Sequence, residues 1–190
     1  GFYHKFDYGV VFANTTLHVR TADLNRARRV LRTRAMKKSD ASAVTRIYNR
    51  LNAVTTASVV RNSSWDHFDV GANFKDPGRA ILVVDALDRV VGYATFSLHE
   101  KDFIVSEIGG LHNKAYETLA ATLSKRALRR RCESLIFHLP VKDPFCSFCS
   151  RYGFRAETRS PRNAGPMARI IHLGPLMEKL IPELNLRLRS

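Results

Sequence analysis

One segment, in which glycines join an apolar strand to a long helix and a second strand, constrains the fold most. Residues 103–108 and 134–139 are short apolar runs of the kind that forms buried strands. Residues 116–131, between them, place apolar side chains at helical spacing, and Gly109-Gly110 predicts a turn before that helix. This order predicts a β-α-β unit whose sheet needs helices to cover it.

Apolar periodicity predicts the other elements as well. Strands are expected at 28–36, 80–84, 90–98, 154–157 and 166–173, and residues 1–20 are also strand-like. Helices are expected after Ser39 or Asp40, at 64–68, at 145–152 and from Pro175 onward. The order of these elements predicts an α/β (α+β) fold, in which a mixed sheet is covered by helices.

Positive charge is the most unusual part of the composition. The 190 residues carry a formal net charge of +14, and 45% of them are hydrophobic, which is enough for one core. Basic residues gather at 26–38 and again at 125–131. Such clusters bind nucleic acid, anionic lipid or cofactor phosphates, or they form a solvated basic surface. The second cluster also ends a predicted helix, where the helix dipole favours cations, and no nucleic-acid-binding module accompanies the charge.

The cysteines indicate a reducing compartment such as the cytoplasm. Cys132, Cys146 and Cys149 are an odd number, which argues against a disulfide framework. Cys146 and Cys149 have the spacing of half a zinc or redox site, but no second pair accompanies them, so we expect no metal. No run of about eighteen apolar residues predicts a membrane span. The chain starts at Gly1 without a leader, and we interpret it as a piece of a longer protein.

Four segments, taken in order, resemble the GNAT superfamily of N-acetyltransferases over residues 28–173. Residues 40–49 resemble its opening helix, 81–98 its central hairpin, 119–127 its coenzyme-binding helix, and 147–154 its late aromatic-x-x-x-Gly-Phe signature. The resemblance implies a mixed, mostly antiparallel central sheet with helices on both faces. It also implies an activity, the transfer of an acetyl group from acetyl-CoA to a primary amine.

The head of the chain resembles the end of a second, preceding GNAT domain. Residues 2–8 align with residues 148–154 at an offset of 146 residues, about the length of one such domain. We therefore expect a remnant of that domain at 1–20, a linker at 21–27, a GNAT-like domain at 28–173 and a helix at 174–190 that leads to a further domain. This layout is similar to that of the tandem-GNAT "enhanced intracellular survival" acetyltransferases, whose second domain is degenerate. The alternative is that residues 1–20 are only a strand extension.

The motif that grips the coenzyme diphosphate in the superfamily is missing here. In GNAT enzymes the turn before the helix reads Arg/Gln-x-x-Gly-x-Gly/Ala, and its bare backbone N–H groups hold the diphosphate. Residues 111–117 contain no glycine, so we expect the 28–173 domain to bind acetyl-CoA poorly. The resemblance leaves as candidates for this cofactor the residues Ile108, Gly109, Gly110 and Lys114.

Catalytic roles follow from the resemblance in the same way. The superfamily protonates the departing thiolate with a Tyr four residues before the signature Gly, and Tyr3 matches it as the acid of the preceding domain. In the 28–173 domain the same position is Cys149. Glu107, on the strand at 103–108, is the candidate base. The alternatives are that Tyr3 packs as an ordinary aromatic residue and that Glu107 pairs with an arginine.

Two functions from different classes therefore remain open. The first is an N-acetyltransferase, or a fragment of one, whose partners are acetyl-CoA and an amine substrate. The second is a non-catalytic GNAT-like scaffold whose basic surface binds an anionic partner, nucleic acid being one candidate, or whose sheet edge supports a homo-oligomer. No membrane partner is expected.

Overall fold

The computed structural model describes residues 9–10, 14–53, 55, 60–61, 79–99, 101–139, 143–159, 167–168 and 172–188. The helix predicted at 64–68 and the candidate acid Tyr3 lie outside these residues. The chain divides into two compact units. One runs from Thr15 to Glu157, and the other combines residues 1–14 with residues 158–190.

Nine strands and five α-helices are described. The strands are β1 (Gly9–Val10), β2 (Asn14–Arg20), β3 (Arg32–Ala35), β4 (Ala80–Val84), β5 (Val90–His99), β6 (Asp102–Gly110), β7 (Ser134–His138), β8 (Arg155–Arg159) and β9 (Met167–Ala168). The helices are α1 (Thr21–Leu24), α2 (Ala41–Asn52), α3 (Asn113–Arg129), α4 (Pro144–Cys149) and α5 (Leu173–Leu188).

Seven strands form one mixed sheet in the order β3-β4-β5-β6-β7-β2-β8. The pair β6–β7 is parallel, whereas β3–β4, β4–β5, β5–β6 and β2–β7 are antiparallel. The predicted fold class, a mixed and mostly antiparallel sheet between helices, is therefore confirmed. Strand β2 lies inside the sheet, between β7 and β8, although it comes first of the seven in the chain.

Strand β4 shows why the sheet is covered on both faces. All five of its residues are buried, as the continuous apolar run predicts. Alternate side chains of a strand point to opposite faces. Accordingly Ile81 and Val83 belong to the larger of two hydrophobic clusters, whereas Ala80 and Leu82 belong to the smaller one.

Helices α2 and α3 cover these two faces. Val44 and Ile47 of α2 are buried in the smaller cluster, as their spacing predicts. Leu119 and Leu123 of α3 are buried in the larger cluster. Helix α3 begins one turn earlier than predicted, at Asn113, because the residue before it caps the first turn.

The segment predicted to be a linker, 21–27, is part of the compact unit. It begins with helix α1, and Leu24 and Ala27 are buried in the larger cluster. The Thr21 hydroxyl donates a hydrogen bond to the Cys132 carbonyl at 2.7 Å. The polar composition of this segment does not predict these buried contacts. The boundaries predicted at 20 and 28 fall inside the unit that starts at Thr15.

The second unit is described over a few short pieces. Strands β1 and β9 form a two-residue antiparallel pair, so the strand predicted at 166–173 is described as a strand only at Met167–Ala168. Helix α5 starts at Leu173 rather than at Pro175. Its apolar residues Met177, Leu180 and Ile181 are exposed. Across both units, no described helix combines the length and the hydropathy that crossing a bilayer requires.

Candidate functional site

Strands β6 and β7 run side by side and then separate. Their parallel ladder pairs Phe103 with Leu135 and continues to Val105 with Phe137, where the described pairing ends. Just beyond this point the register between β6 and β5 shifts by one residue, which leaves Ser106 as a β-bulge. A bulge bends its strand and interrupts pairing. The last residues of β6, 106–110, and the end of β7 therefore bound an opening, which we call the splay.

Aromatic side chains span the splay from one strand to the other. The centroid of the Phe137 ring lies 4.9 Å from that of Phe145 in α4. Phe145 lies 5.6 Å from Tyr116 in α3, and the ring of Tyr116 packs on the backbone of Gly110 in β6. The centroid of the Phe148 ring lies 5.7 Å from the centroids of both Phe145 and Tyr116. We call these four rings, Tyr116, Phe137, Phe145 and Phe148, the aromatic bridge.

The two glycines predicted to form a turn are the last residues of strand β6, and both are buried. A Cβ on Gly109 would lie 2.7 Å from Cε1 of Tyr93, and one on Gly110 would lie 3.0 Å from Cε1 of Tyr116. These positions therefore lack side chains because two tyrosine rings pack directly on the strand. The turn follows later, at Leu111-His112.

The first turn of α3 is partly closed by its own cap. The Nδ1 atom of His112 accepts a hydrogen bond from the Ala115 backbone N–H at 3.2 Å. The same N–H group also donates to the His112 carbonyl at 3.0 Å, so it is fully engaged at the start of the helix. Of the four residues predicted to contact the cofactor, Lys114 is exposed on this turn, whereas Ile108, Gly109 and Gly110 are buried.

Glu107, the candidate base, is held by hydrogen bonds from two residues, Arg61 and Tyr93. Its Oε1 and Oε2 accept hydrogen bonds from Nη1 and Nη2 of Arg61, at 2.8 and 3.1 Å. The Tyr93 hydroxyl donates a further bond to Oε1. Burial, and then the Glu107 charge, hold the pKa of Tyr93 well above its usual value. Three hydrogen bonds, two of them from one guanidinium, thus engage the carboxylate, so the geometry matches the alternative of an arginine-paired carboxylate.

The position that matches the catalytic Tyr of the superfamily is inaccessible in this domain. Cys149 is fully buried in α4, and burial together with neighbouring Cys146 raises the pKa of its thiol. Burial also raises the pKa of Cys146 to about 11. Both thiols are therefore protonated core residues. Across the described residues, no group of three or more His, Cys, Asp and Glu could hold a metal ion.

Sequence reasoning missed Arg61 and Asp143. Arg61 lies 46 residues from Glu107 along the chain, and no local spacing connects the two. Asp143 precedes α4 and caps it by accepting a hydrogen bond from the Phe145 N–H at 2.8 Å. An aspartate before a proline at a helix start is a recognisable cap signal. Burial raises the pKa of Asp143 to about 6, which its position in the sequence does not predict.

The described residues also line two cavities away from the splay. The larger, of about 760 Å³, includes Arg20 and Arg26, and both of these pair with Asp23, at 2.7 and 3.9 Å. The smaller, of about 420 Å³, lies where β6 begins and α3 ends. We call it the arginine pocket, and its lining includes Phe96, Phe103, Arg79, Arg126, Arg129 and Arg130.

Comparison with solved structures identifies the fold. The chain is similar to a GCN5-related N-acetyltransferase from Kribbella flavida, with a TM-score of 0.62, 19% identity, and coverage of 83% of this chain and 39% of that one. A probable N-acyltransferase from Enterococcus faecalis V583 gives a TM-score of 0.61 and 15% identity, over 83% of this chain and 40% of that one. The PaiA N-acetyltransferase from Thermoplasma acidophilum, solved with coenzyme A, gives a TM-score of 0.50 and 10% identity, over 66% of this chain and 89% of that one. No protein-family model and no curated protein matches the sequence.

The chain therefore has the fold of the GCN5-related N-acetyltransferases, as the sequence resemblance implies. At these identities the likeness establishes the fold alone. The chain spans about two fifths of the length of the first two structures.

Proposed function

We propose that this chain is the supporting, non-catalytic GNAT-fold part of an acyl-CoA-dependent N-acetyltransferase. The complete protein would transfer acetyl from acetyl-CoA to a primary amine, and the 28–173 domain would contribute little to coenzyme binding. The aromatic bridge across the splay is the observation that carries this proposal.

Three requirements of acetyl transfer support the assignment of a supporting role. The coenzyme needs an open passage between the helices, and Tyr116 contacts Phe145 and Phe148 there. Its diphosphate needs unpaired N–H groups at a helix start, and His112 engages one of them. The attacking amine needs a base or a water path, and the carboxylate of Glu107 is already engaged by Arg61 and Tyr93.

The catalytic part would then precede this domain, with Tyr3 as the acid that protonates the departing thiolate. The place of β2 supports a close structural connection between the head and the domain. Its residues, Thr16 to Arg20, pair with β7 inside the seven-stranded sheet. A preceding domain would therefore be continuous with a strand that the 28–173 fold requires.

The coenzyme part of the proposal is tested by isothermal titration of the 190-residue chain with acetyl-CoA. At the splay we expect no binding, or a dissociation constant above about 1 mM, which corresponds to about −4 kcal/mol. Micromolar binding that Lys114→Ala abolishes would contradict the proposal. Binding that survives Lys114→Ala and disappears in an Arg129→Gln, Arg130→Gln variant would instead belong to the arginine pocket.

The catalytic part is tested in the full-length gene product with an assay of amine acetylation. Tyr3→Phe is expected to lower the rate of acetyl transfer by about 100-fold or more, the usual contribution of a general acid. Lys114→Ala, in the supporting domain, is expected to leave the rate unchanged. The reverse pattern would place catalysis in the 28–173 domain.

A non-catalytic scaffold or interaction module is the second candidate, and the arginine pocket is the observation that favours it. In that case the full-length gene product would acetylate no amine, and its function would be to bind an anionic partner or to form a homo-oligomer. We propose the cytoplasm as its location in either case, and the three cysteines, all described as free thiols, support this.

A further inference from the structure

The arginine pocket lies at the end of the sheet opposite the splay. Phe103 is the first residue of β6 in the ladder with β7, whereas the splay opens where that ladder ends. Arg126, Arg129 and Arg130 come from the last turn of α3 and the residue after it. Arg79 enters from the residue before β4, so two separate segments of the chain bring guanidinium groups to one cavity.

Helix geometry alone does not explain this convergence. Positions 126, 129 and 130 are spaced i, i+3 and i+4, so their side chains share one helix face and repel one another. The helix dipole favours cations in the last turn, which offsets part of this repulsion. Arg79 does not belong to that helix, and the dipole gives no reason for its presence in the same cavity.

The base of the pocket holds one guanidinium in place. The Phe96 and Phe103 rings stack with centroids 5.0 Å apart, and Cζ of Arg126 lies 5.2 Å from the Phe96 centroid. Cation–π contact of this kind orients a guanidinium over the ring. Burial, and then the charge of Arg129, lower the pKa of Arg126.

The other large cavity supplies the contrast. There Asp23 forms ion pairs with both Arg20 and Arg26. No aspartate or glutamate is among the residues that line the arginine pocket in the described structure, and no ion pair is described for Arg129 or Arg130. Asp23 thus supplies a counter-charge for two of the three arginines that line the first cavity, whereas the described lining of the second contains no carboxylate for its exposed Arg129 and Arg130.

We propose that the arginine pocket binds a compact ligand that carries two or more phosphate groups, with guanidinium groups of Arg129 and Arg130 on its oxygens and Arg126 fixed over Phe96. Guanidinium groups bind phosphate oxygens in pairs, which makes arginine well suited to such a ligand. The cavity volume of about 420 Å³ is typical of small-molecule sites. A duplex would need an extended basic surface rather than one concave cluster.

The test is isothermal titration of the whole chain with inorganic diphosphate, ADP and AMP at low salt. Diphosphate and ADP are expected to bind saturably, each at least about tenfold tighter than AMP, because charged hydrogen bonds to a second phosphate add affinity. Tighter binding of ADP than of diphosphate would identify a nucleotide as the ligand class, and equal binding would identify the diphosphate group alone.

Paired variants make this test specific. Arg129→Gln with Arg130→Gln is expected to weaken diphosphate binding at least about tenfold. The matched control, Arg46→Gln with Arg50→Gln, removes the same charge from exposed positions of α2 and should change affinity less than about twofold. All four residues are exposed, and circular dichroism checks that each variant folds.

Three results would overturn the proposal. One is the absence of diphosphate binding, and another is an equal loss in both pairs of variants, which indicates diffuse attraction to the net charge. The third is duplex DNA binding with a steep salt dependence in the absence of diphosphate binding, which identifies a nucleic-acid surface instead. None of these results bears on coenzyme binding at the splay, which Lys114→Ala tests separately.

Discussion

The two ends of the central sheet, at the splay and at the arginine pocket, differ in packing and in charge. At the splay, the aromatic bridge connects the end of β7 to the end of β6, and the carboxylate of Glu107 forms an ion pair with the Arg61 guanidinium. At the other end, the arginine pocket is open, and no carboxylate lines it among the described residues. The Glu107 charge at the splay thus has a partner from the chain itself, whereas the described lining of the arginine pocket contains arginines and no carboxylate. The fold's usual cofactor end is thus the less suited of the two to bind an anion.

The same helix contributes to both ends. Helix α3 begins beside the splay, where Tyr116 is buried, and ends at the arginine pocket with Arg126 and Arg129. A phosphate at a helix start would gain from the dipole and from bare N–H groups. Here the His112 side chain engages one N–H group at the start of the helix, whereas guanidinium groups supply positive charge at its end.

The largest effect that would sharpen this comparison is expected from the ion pair between Arg61 and Glu107 at the splay. Arg61→Met leaves the Glu107 carboxylate without its bidentate partner, and loss of one member of a buried pair costs about 3–5 kcal/mol. Because both side chains keep some exposure, we expect the lower part of this range in urea unfolding. Adding Glu107→Leu to Arg61→Met should recover only part of the loss, because the buried Tyr93 hydroxyl then loses its acceptor.

The control for this prediction is an exposed ion pair. Arg32→Met removes the partner of Asp88, and both of these side chains are more than half exposed. Its effect on the free energy of unfolding should be close to zero. Equal effects of Arg61→Met and Arg32→Met would show that the Glu107 pair is an ordinary surface contact. The difference in charge pairing between the splay and the arginine pocket would then not hold.

A smaller effect is expected from the glycines beneath the tyrosine rings. Gly109→Ala and Gly110→Ala push a methyl group against Tyr93 and Tyr116, and overpacking of this kind costs about 1–3 kcal/mol. Thermal unfolding measures the loss. Gly174→Ala, in α5, meets no atom within 4 Å and should be neutral or slightly stabilising, because alanine favours a helix. If all three variants behave alike, the rings do not pack on β6 as described.

The smallest effect concerns pH and the carboxyl of Asp143. Burial raises its pKa to about 6 in the folded protein, above the ordinary aspartate value of about 3.9, so the folded state holds the proton more tightly. The stability that this proton contributes is therefore complete below about pH 4 and is lost as the pH rises through about 6. We expect the wild type to lose about 1–2 kcal/mol relative to Asp143→Asn between pH 4 and pH 7. Parallel pH profiles of the two proteins would contradict the burial of this group.

The fold was largely predictable, because its signals are local. The five buried residues of β4 form one apolar run, and the buried face of α2 repeats at helical spacing. The place of β2 in the sheet was not predictable, since pairing between strands more than one hundred residues apart leaves no periodic trace.

The candidate site was predictable in part. The absence of glycine from residues 111–117 is visible in the sequence, and it directs attention to the start of α3. The role of Gly109 and Gly110 was not visible, because two adjacent glycines also signal a turn and only the folded chain brings Tyr93 and Tyr116 onto them. The engagement of Glu107 depends on a guanidinium from a distant segment, which no spacing reveals.

The most direct test of the comparison is a titration of the isotope-labelled chain with acetyl-CoA, followed by backbone amide chemical shifts. We expect the amides from Gly110 to Tyr116 to stay unchanged to millimolar concentrations, and any saturable shifts to lie near Arg79 and 126–130. Saturable shifts from Gly110 to Tyr116 at micromolar acetyl-CoA, with none near the arginine pocket, would contradict the account.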